Sequence, residues 1–136
     1  MNISTARIVG AIVVVFVLSC LFGSLIHGIL LQSDYATVAD LYRSAADTKF
    51  ILIFVGYLGF AIGSVWMYAH GLEDRPWVGQ GVRFGIAVWL VLAVPTFLIA
   101  YAVQPLPESL VWKQLGYELV NKIVLGIVTA GIVRRG

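Results

Sequence analysis

The chain has 136 residues, of which 60% are hydrophobic and 12% are charged, and its mean hydropathy is +0.95. A water-soluble domain of this length cannot bury so much apolar surface, so the composition excludes an ordinary soluble fold. The net charge is +2 and no dense cluster of Lys and Arg occurs, which excludes nucleic acid as an expected partner. The expected partner of most of the surface is therefore the lipid bilayer.

Four apolar segments are each long enough to cross a bilayer, which takes about 20 residues of α-helix. They cover about 7–31, 50–70, 84–103 and 109–133. The first is too long an uncharged run for the apolar core of a signal peptide, so it is predicted to be a true transmembrane helix. The sequence thus predicts one all-α domain over residues 1–136, an integral membrane four-helix bundle.

Two connections carry further structure signals. Between the first two segments, apolar side chains from Tyr35 to Ala45 recur at helical spacing, which predicts a short amphipathic interfacial helix over about 34–46; a solvated loop is the alternative. Between the second and third segments, Gly79 and Gly81 are predicted to form turns, and Trp77 is predicted to be an interfacial anchor.

The distribution of basic residues predicts the orientation of the bundle. If both termini are cytoplasmic, five Lys and Arg residues lie on that side and three lie on the opposite side. The first group is Arg7, Arg75, Arg83, Arg134 and Arg135, and the second is Arg43, Lys49 and Lys113. Because cytoplasmic loops carry the excess of positive charge, both termini are predicted to be cytoplasmic.

Small residues mark where helices can approach each other closely in a membrane. The candidates are Gly23 and Gly28 in the first segment, Gly56, Gly59 and Gly63 in the second, and Gly126 in the fourth. Packing within one chain is the expected use of these glycines. Self-association into an oligomer is the alternative.

The fourth segment is the only one that places charged residues inside a predicted span. Glu118 and Lys122 share one helical stripe with Asn121, and they lie roughly 24 Å and 18 Å from Arg134 at about 1.5 Å per residue. Residues at the matching depth in the other segments complete a predicted polar cluster under the outer interface. Its members are His27, Tyr57, Tyr101, Glu118, Asn121 and Lys122.

Three interpretations of this cluster are open. Glu118 and Lys122 have the spacing of a helical ion pair, so they can simply neutralise each other. The cluster can also be a proton-handling or ligand-binding pocket with Glu118 as the titrating group, because ionisable groups inside a membrane are functional candidates by default. Thirdly, the stripe can face another membrane subunit.

No cofactor or metal site is expected. His27 and His70 are the only histidines and fall at opposite ends of antiparallel segments, so an intrachain bis-His haem is not expected. Cys20 is the single cysteine, which excludes paired-thiol redox chemistry. No catalytic constellation can be assembled at one depth, so a non-catalytic protein is expected.

Four short stretches resemble small four-helix bacterial membrane proteins that carry no assigned activity. They are 68–73 (YAHGLE), 81–85 (GVRFG), 27–31 (HGILL) and 41–44 (LYRS). The resemblance implies the same topology and a bacterial inner (cytoplasmic) membrane location, and it implies no functional residue. The expected function is an accessory or scaffold subunit that associates through its helices with itself or with a larger membrane complex. The alternative is a small-molecule or proton-linked binding or transport protein built on the Glu118 cluster.

Overall fold

The computed structural model describes residues 3–134, which are 82% helical and contain no strand. Arg135, which entered the orientation argument, lies outside these residues. The described part of the chain forms six α-helices. They are α1 (Thr5–Leu25), α2 (Gln32–Ala36), α3 (Phe50–His70), α4 (Trp77–Val88), α5 (Val94–Val103) and α6 (Glu108–Val133).

Two π-helical turns extend these helices. The turn Ile26–Leu30 continues α1, and the turn Trp89–Ala93 joins α4 to α5. The second turn precedes Pro95, whose ring lacks an N–H donor, and the Thr96 hydroxyl donates to the Leu92 carbonyl at 2.5 Å. The described residues therefore contain four helical stretches that are long and apolar enough to cross a membrane, namely Thr5–Leu30, Phe50–His70, Trp77–Val103 and Glu108–Val133.

These four stretches run alternately up and down. At one end, which we call the terminal end, the Arg7 guanidinium donates to the Arg134 carbonyl at 2.7 Å and so joins the start of α1 to the end of α6. At the opposite end, which we call the α2 end, Lys113 at the start of α6 pairs with Asp34 of α2 at 2.9 Å. α6 packs against α1 on one side and α4 on the other, and α3 packs on α1.

The third span begins earlier in the structure than the sequence predicts, and the added residues of α4 contact α6. The third span was predicted to begin at about residue 84, but α4 begins at Trp77, directly after Pro76. Gly81 is therefore a helical residue and not a turn former. A methyl group on Gly81 would lie 2.7 Å from the Gly126 carbonyl oxygen, so α4 and α6 touch backbone to backbone. A glycine at such a crossing lets two helices approach, which explains why it sits inside a helix.

The glycines predicted for helix packing divide into two groups. Gly23 lies under the Tyr57 ring, and Gly126 lies against Gly81 and Gly85. The others have nothing within 4 Å of the position that a methyl group would take; they are Gly28, Gly56, Gly59 and Gly63. Gly28 lies on the π-turn that continues α1, and the other three lie on α3, where Gly56 and Gly59 are exposed and Gly63 is partly exposed.

The connection between α1 and α3 also differs from the prediction of one interfacial helix over 34–46. The structure has the five-residue helix α2 and a separate 3-10 turn at Ala39–Leu41. The Thr37 hydroxyl donates to the Asp34 carbonyl at 2.7 Å, and Val38 leaves the helical region with φ −127°. Side chains that bond backbone carbonyls compete with helix continuation, so the segment folds back over the bundle instead of lying along it.

The buried interior has three layers along α6. Towards the terminal end lies an apolar cluster formed by Ala11, Val15, Ala61, Val65, Tyr68, Leu125, Ala130 and Val133. Towards the α2 end lies a second one, formed by Ile26, Leu31, Leu106, Leu110, Val111 and Leu115. The polar residues 118–122 fall between Leu115 and Leu125, so a polar layer lies between two apolar ones.

Candidate functional site

The polar stripe of α6 faces the interior of this single chain. Glu118 is 6% exposed, Asn121 6% and Lys122 8%. The sequence left open whether the stripe points into the bundle or towards another chain. Burial at this level within one chain decides the point in favour of the bundle interior.

Three side chains hold the Glu118 carboxylate. Lys122 donates to Oε2 at 2.8 Å, and Asn121 donates to the same oxygen at 3.2 Å. The other oxygen, Oε1, lies 3.3 Å from Nε2 of His27 on the π-turn that ends α1. A buried carboxylate is tolerated when a cation and further hydrogen bonds satisfy it, and Glu118 has both.

His27 links this buried carboxylate to the α2 end. Its Nδ1 lies 2.7 Å from the Tyr35 hydroxyl of α2, and the Gln114 amide donates to the same hydroxyl at 2.9 Å. The π-turn bond from the Leu31 N–H to the Ile26 carbonyl, at 2.9 Å, inserts an extra residue into the helix beside His27. Such π-turns are frequent at functional sites because they reorient one side chain within a helix. The His27 side chain is 32% exposed, which makes it the accessible member of the cluster.

The donors and acceptors form one continuous chain when His27 is neutral. The Gln114 amide donates to Tyr35, so the Tyr35 hydroxyl hydrogen is free to bond Nδ1 of His27. An imidazole that accepts at Nδ1 carries its hydrogen on Nε2 and donates it to Glu118. Glu118 and Lys122 then carry opposite charges, and the cluster as a whole is neutral.

The same atoms form a second continuous chain when His27 is protonated. Both ring nitrogens then donate, so the Tyr35 oxygen accepts from Nδ1 and its hydroxyl hydrogen must turn away. Rotation of the Gln114 amide brings its oxygen, which is buried and has no partner in the described structure, into position to accept that hydrogen. The second chain therefore requires one amide rotation and one hydroxyl rotation, and no helix has to move.

Tyr35 is held in the neutral form that both chains need. Burial raises the pKa of Tyr35 to about 12, from an ordinary value of 10.0. The Lys113–Asp34 pair fixes α2 on the start of α6, and the Tyr42 ring packs edge-on against Tyr35 at 5.2 Å. The phenol therefore works as a fixed hydrogen-bond relay between His27 and Gln114.

Two predicted cluster members lie outside the hydrogen-bond network. Tyr57 lies near the Glu118 carboxylate, but its phenol end packs against Gly23 of α1 and no hydrogen bond joins it to Glu118 in the described structure. Tyr101 on α5 is 39% exposed and likewise forms no hydrogen bond with the cluster among residues 3–134. Counting residues along a helix determines depth and leaves the helical face undetermined, which is why Tyr101 has the depth of the cluster and points away from it.

Two members of the network were not in the predicted cluster. The sequence places Gln114 on the same polar stripe of the fourth segment, one helical turn before Glu118, and that spacing is a signal that could have included it. Tyr35 carried no comparable signal, because its contact with His27 depends on how the connection after α1 folds back.

Two neighbours position the polar layer. The Trp89 indole of the second π-turn donates to the Leu115 carbonyl at 2.9 Å and holds this turn against α6. Lys122 Nζ lies 5.0 Å from the centre of the Phe60 ring of α3, a cation–π distance. Asn121 must turn its amide nitrogen to the carboxylate, which leaves its oxygen buried without a partner in the described residues.

The second histidine lies far from this site. His70 ends α3 at the terminal end, where its Nδ1 donates to the Trp66 carbonyl at 2.8 Å. Among residues 3–134, no three His, Cys, Asp or Glu side chains are grouped closely enough to hold a metal ion.

Comparison with protein-family models, with curated proteins and with solved structures found no match to this chain. A fold of this kind does not specify a function by itself, since function depends on the chemistry of a site. The functional argument therefore rests on the geometry around Glu118.

Proposed function

We propose that the protein is a non-catalytic, multi-pass membrane protein that takes up and releases a proton at the His27–Glu118 cluster, as part of proton-linked binding or transport. One observation carries the proposal. The two ring nitrogens of His27 lie between a buried carboxylate and a hydroxyl at the α2 end, at 3.3 and 2.7 Å. Imidazole changes its charge near neutral pH and is a common proton carrier in proteins.

The membrane setting of the proposal rests on composition. Four stretches of the described chain are long and apolar enough to span a bilayer, and large apolar side chains cover the outward faces of α3 and α5. The excess of Lys and Arg at the terminal end supports a cytoplasmic location for that end, and with it the opposite side of the membrane for the α2 end and His27. The resemblance to bacterial four-helix proteins favours the inner membrane.

Charged and polar groups face His27 from several helices. Glu118 and Lys122 face it from α6, Tyr35 faces it from α2, Phe97 of α5 packs beside its ring, and Tyr57 of α3 lies near the carboxylate. A proton on the imidazole is attracted by Glu118 and opposed by the Lys122 ammonium in a medium of low dielectric. Because both protonation states keep a complete hydrogen-bond chain, neither state leaves a buried charge unbonded.

The proposal is tested by following the proton directly. The full chain is reconstituted in lipid vesicles with an entrapped pH indicator, and proton flux is recorded under an imposed membrane potential. In parallel, infrared difference spectra between two pH values report imidazole protonation and the shift of the carboxylate stretch that accompanies the change in its hydrogen bond. We expect Glu118→Gln to abolish the carboxylate signal and the flux, and Tyr35→Phe to slow the flux, while the helical content of both variants is retained.

Lys49→Gln is the matched control, since it removes an exposed charge before α3 at the same end without touching the His27 relay. Its flux should equal that of the unmodified chain. If Glu118→Gln lowers only stability and leaves both the flux and the imidazole signal unchanged, Glu118 and Lys122 are a structural ion pair and the proposal is wrong.

A second candidate function is an accessory subunit that associates through α3. The supporting observation is the outward face of α3, where Gly56, Gly59 and Gly63 have no neighbour within 4 Å of an added methyl group. Native purification followed by mass spectrometry tests this function. A stoichiometric partner that is lost in Gly59→Leu and kept in Gly10→Leu, another open glycine, would support it, whereas a lone monomer would refute it.

A further inference from the structure

A cavity of about 210 Å³ opens at the terminal end, where α3 ends and α4 begins. Its lining combines apolar side chains with a cation, a hydroxyl, an amide and one carboxylate residue. The lining residues are Met67, Tyr68, Gly71, Glu73, Gln80, Arg83 and Phe84. This cavity lies at the opposite end of the bundle from the Glu118 cluster and plays no part in the proposed proton exchange.

Arg83 provides a charge that no described residue neutralises. It lies six residues into the stretch Trp77–Val103, about 9 Å along the helix from Trp77, and no ion pair or hydrogen bond joins its guanidinium to another residue among 3–134. The nearby Glu73 carboxylate is already paired with Arg75 at 2.9 Å. The Arg83 side chain is exposed and lines the cavity, so its unpaired guanidinium, at the edge of an apolar span, is available to a negatively charged ligand.

Tyr68 provides an unused hydrogen-bond donor. Tyr68 is 4% exposed, and its hydroxyl is buried with no partner in the described structure. Its ring is fixed edge-on against Phe84 at 5.2 Å. Buried hydroxyls are hydrogen-bonded in most proteins, so an unpartnered one on a residue that lines the same cavity as the unpaired guanidinium is a second and independent indication of a ligand.

The rim of the cavity is already ordered. The buried Gln80 side chain accepts from the Glu73 N–H at 3.0 Å and donates to the Glu73 and Arg75 carbonyls at 2.9 and 2.7 Å. The Gln80 amide group is therefore fully hydrogen-bonded within the α3–α4 connection and has no donor left for a ligand. Arg83 and Tyr68 are the groups that remain free to bind one.

We propose that this cavity binds a phosphate group, with Arg83 as the bidentate cation and the Tyr68 hydroxyl as a hydrogen-bond donor. A planar guanidinium matches phosphate oxygens in charge and geometry. Met67 and Phe84 line the same cavity with apolar surface that suits an acyl chain. A phospholipid headgroup and soluble phosphate are the two sources of this chemistry.

The test uses the full chain, delipidated in a detergent without phosphate and titrated in native mass spectrometry. The probes are phosphatidylglycerol, diacylglycerol as its phosphate-free counterpart, and inorganic phosphate. We expect phosphatidylglycerol to bind and diacylglycerol not to, and Arg83→Gln to weaken binding at least about tenfold. Arg43→Gln, an exposed arginine on the connection between α2 and α3 at the opposite end, should bind as the unmodified chain does. Inorganic phosphate that binds as tightly would support the site and identify the soluble source.

Tyr68→Phe separates a ligand site from a structural role. It removes only the unpartnered hydroxyl, so it should weaken phosphatidylglycerol binding several-fold and leave the thermal stability of the unliganded protein unchanged or higher. Equal affinity in Arg83→Gln and the unmodified chain, or equal binding of diacylglycerol and phosphatidylglycerol, would overturn the proposal. Glu118→Gln should have no effect on this binding, so the phosphate site and the proton cluster succeed or fail separately.

Discussion

Gly81→Ala adds a methyl group where α4 and α6 touch backbone to backbone. That carbon would lie 2.7 Å from the Gly126 carbonyl oxygen, 2.7 Å from the Ile127 Cα and 2.9 Å from the Ile127 nitrogen. All three are backbone atoms of one helix, so no side chain can rotate away. Carbon contacts are optimal near 3.5 Å or more, and the helices must therefore separate by about 0.8 Å.

A gap of this size removes a quarter to a half of the dispersion energy of the contacts that line it. The indole bond from Trp89 to the Leu115 carbonyl, now 2.9 Å, would stretch towards the limit for a hydrogen bond. Overpacking of this kind costs about 3 kcal/mol, and the better helix propensity of Ala restores up to about 1 kcal/mol. We expect a net loss of about 2 kcal/mol in the free energy of unfolding.

Reversible unfolding in mixed micelles, followed by circular dichroism, measures this loss. Gly59→Ala is the matched control, since Gly59 is also helical and has nothing within 4 Å of the added methyl group. The control should be neutral or slightly stabilising, which puts the two variants about 3 kcal/mol apart. Equal stabilities of Gly81→Ala and Gly59→Ala would refute the close backbone contact between α4 and α6.

Three further predictions concern the polar groups. Lys122→Met leaves the buried Glu118 charge without its cation and should destabilise the protein by about 3 kcal/mol, whereas adding Glu118→Gln should recover much of that loss in a double-mutant cycle of unfolding free energies. Gln80→Leu removes three hydrogen bonds to the α3–α4 connection, so hydrogen exchange at the Glu73 amide should become faster by at least tenfold, while exchange within α6 stays unchanged. Burial raises the pKa of Tyr35 to about 12, so the stability that the buried neutral phenol contributes is complete below pH 10 and is lost as the pH rises through 12. The tyrosinate absorbance that disappears in Tyr35→Phe should therefore titrate near pH 12. A midpoint near 10 would contradict the burial of Tyr35.

The four apolar stretches and the acid–base pair were accessible from the sequence because each depends on local spacing. About 20 apolar residues define a candidate span whatever surrounds them, and Glu118 and Lys122 are neighbours on any α-helix. Their common stripe is likewise a property of helical geometry. These features therefore needed no knowledge of how the helices pack.

The remaining features depend on contacts between distant parts of the chain. Gly81 forms a turn in one context and a helix crossing in another, and only Gly126 on α6 decides between them. Tyr35 reaches His27 because the connection folds back at Thr37 and Val38. Periodicity carries no information about a fold-back, so the relay to the α2 end could not be predicted.

The buried polar layer of α6 also has a consequence for biosynthesis. Among the four membrane-length stretches of the described chain, α6 is the least apolar, and Glu118 and Lys122 would together oppose its insertion by about 5–7 kcal/mol if it entered lipid alone. His27 and the glycine face of α4 belong to segments that a ribosome completes earlier. In the proposed membrane protein, the most polar helix is thus translated when its binding partners are already in place, and its entry into the bilayer and its docking onto α1 and α4 become a single event.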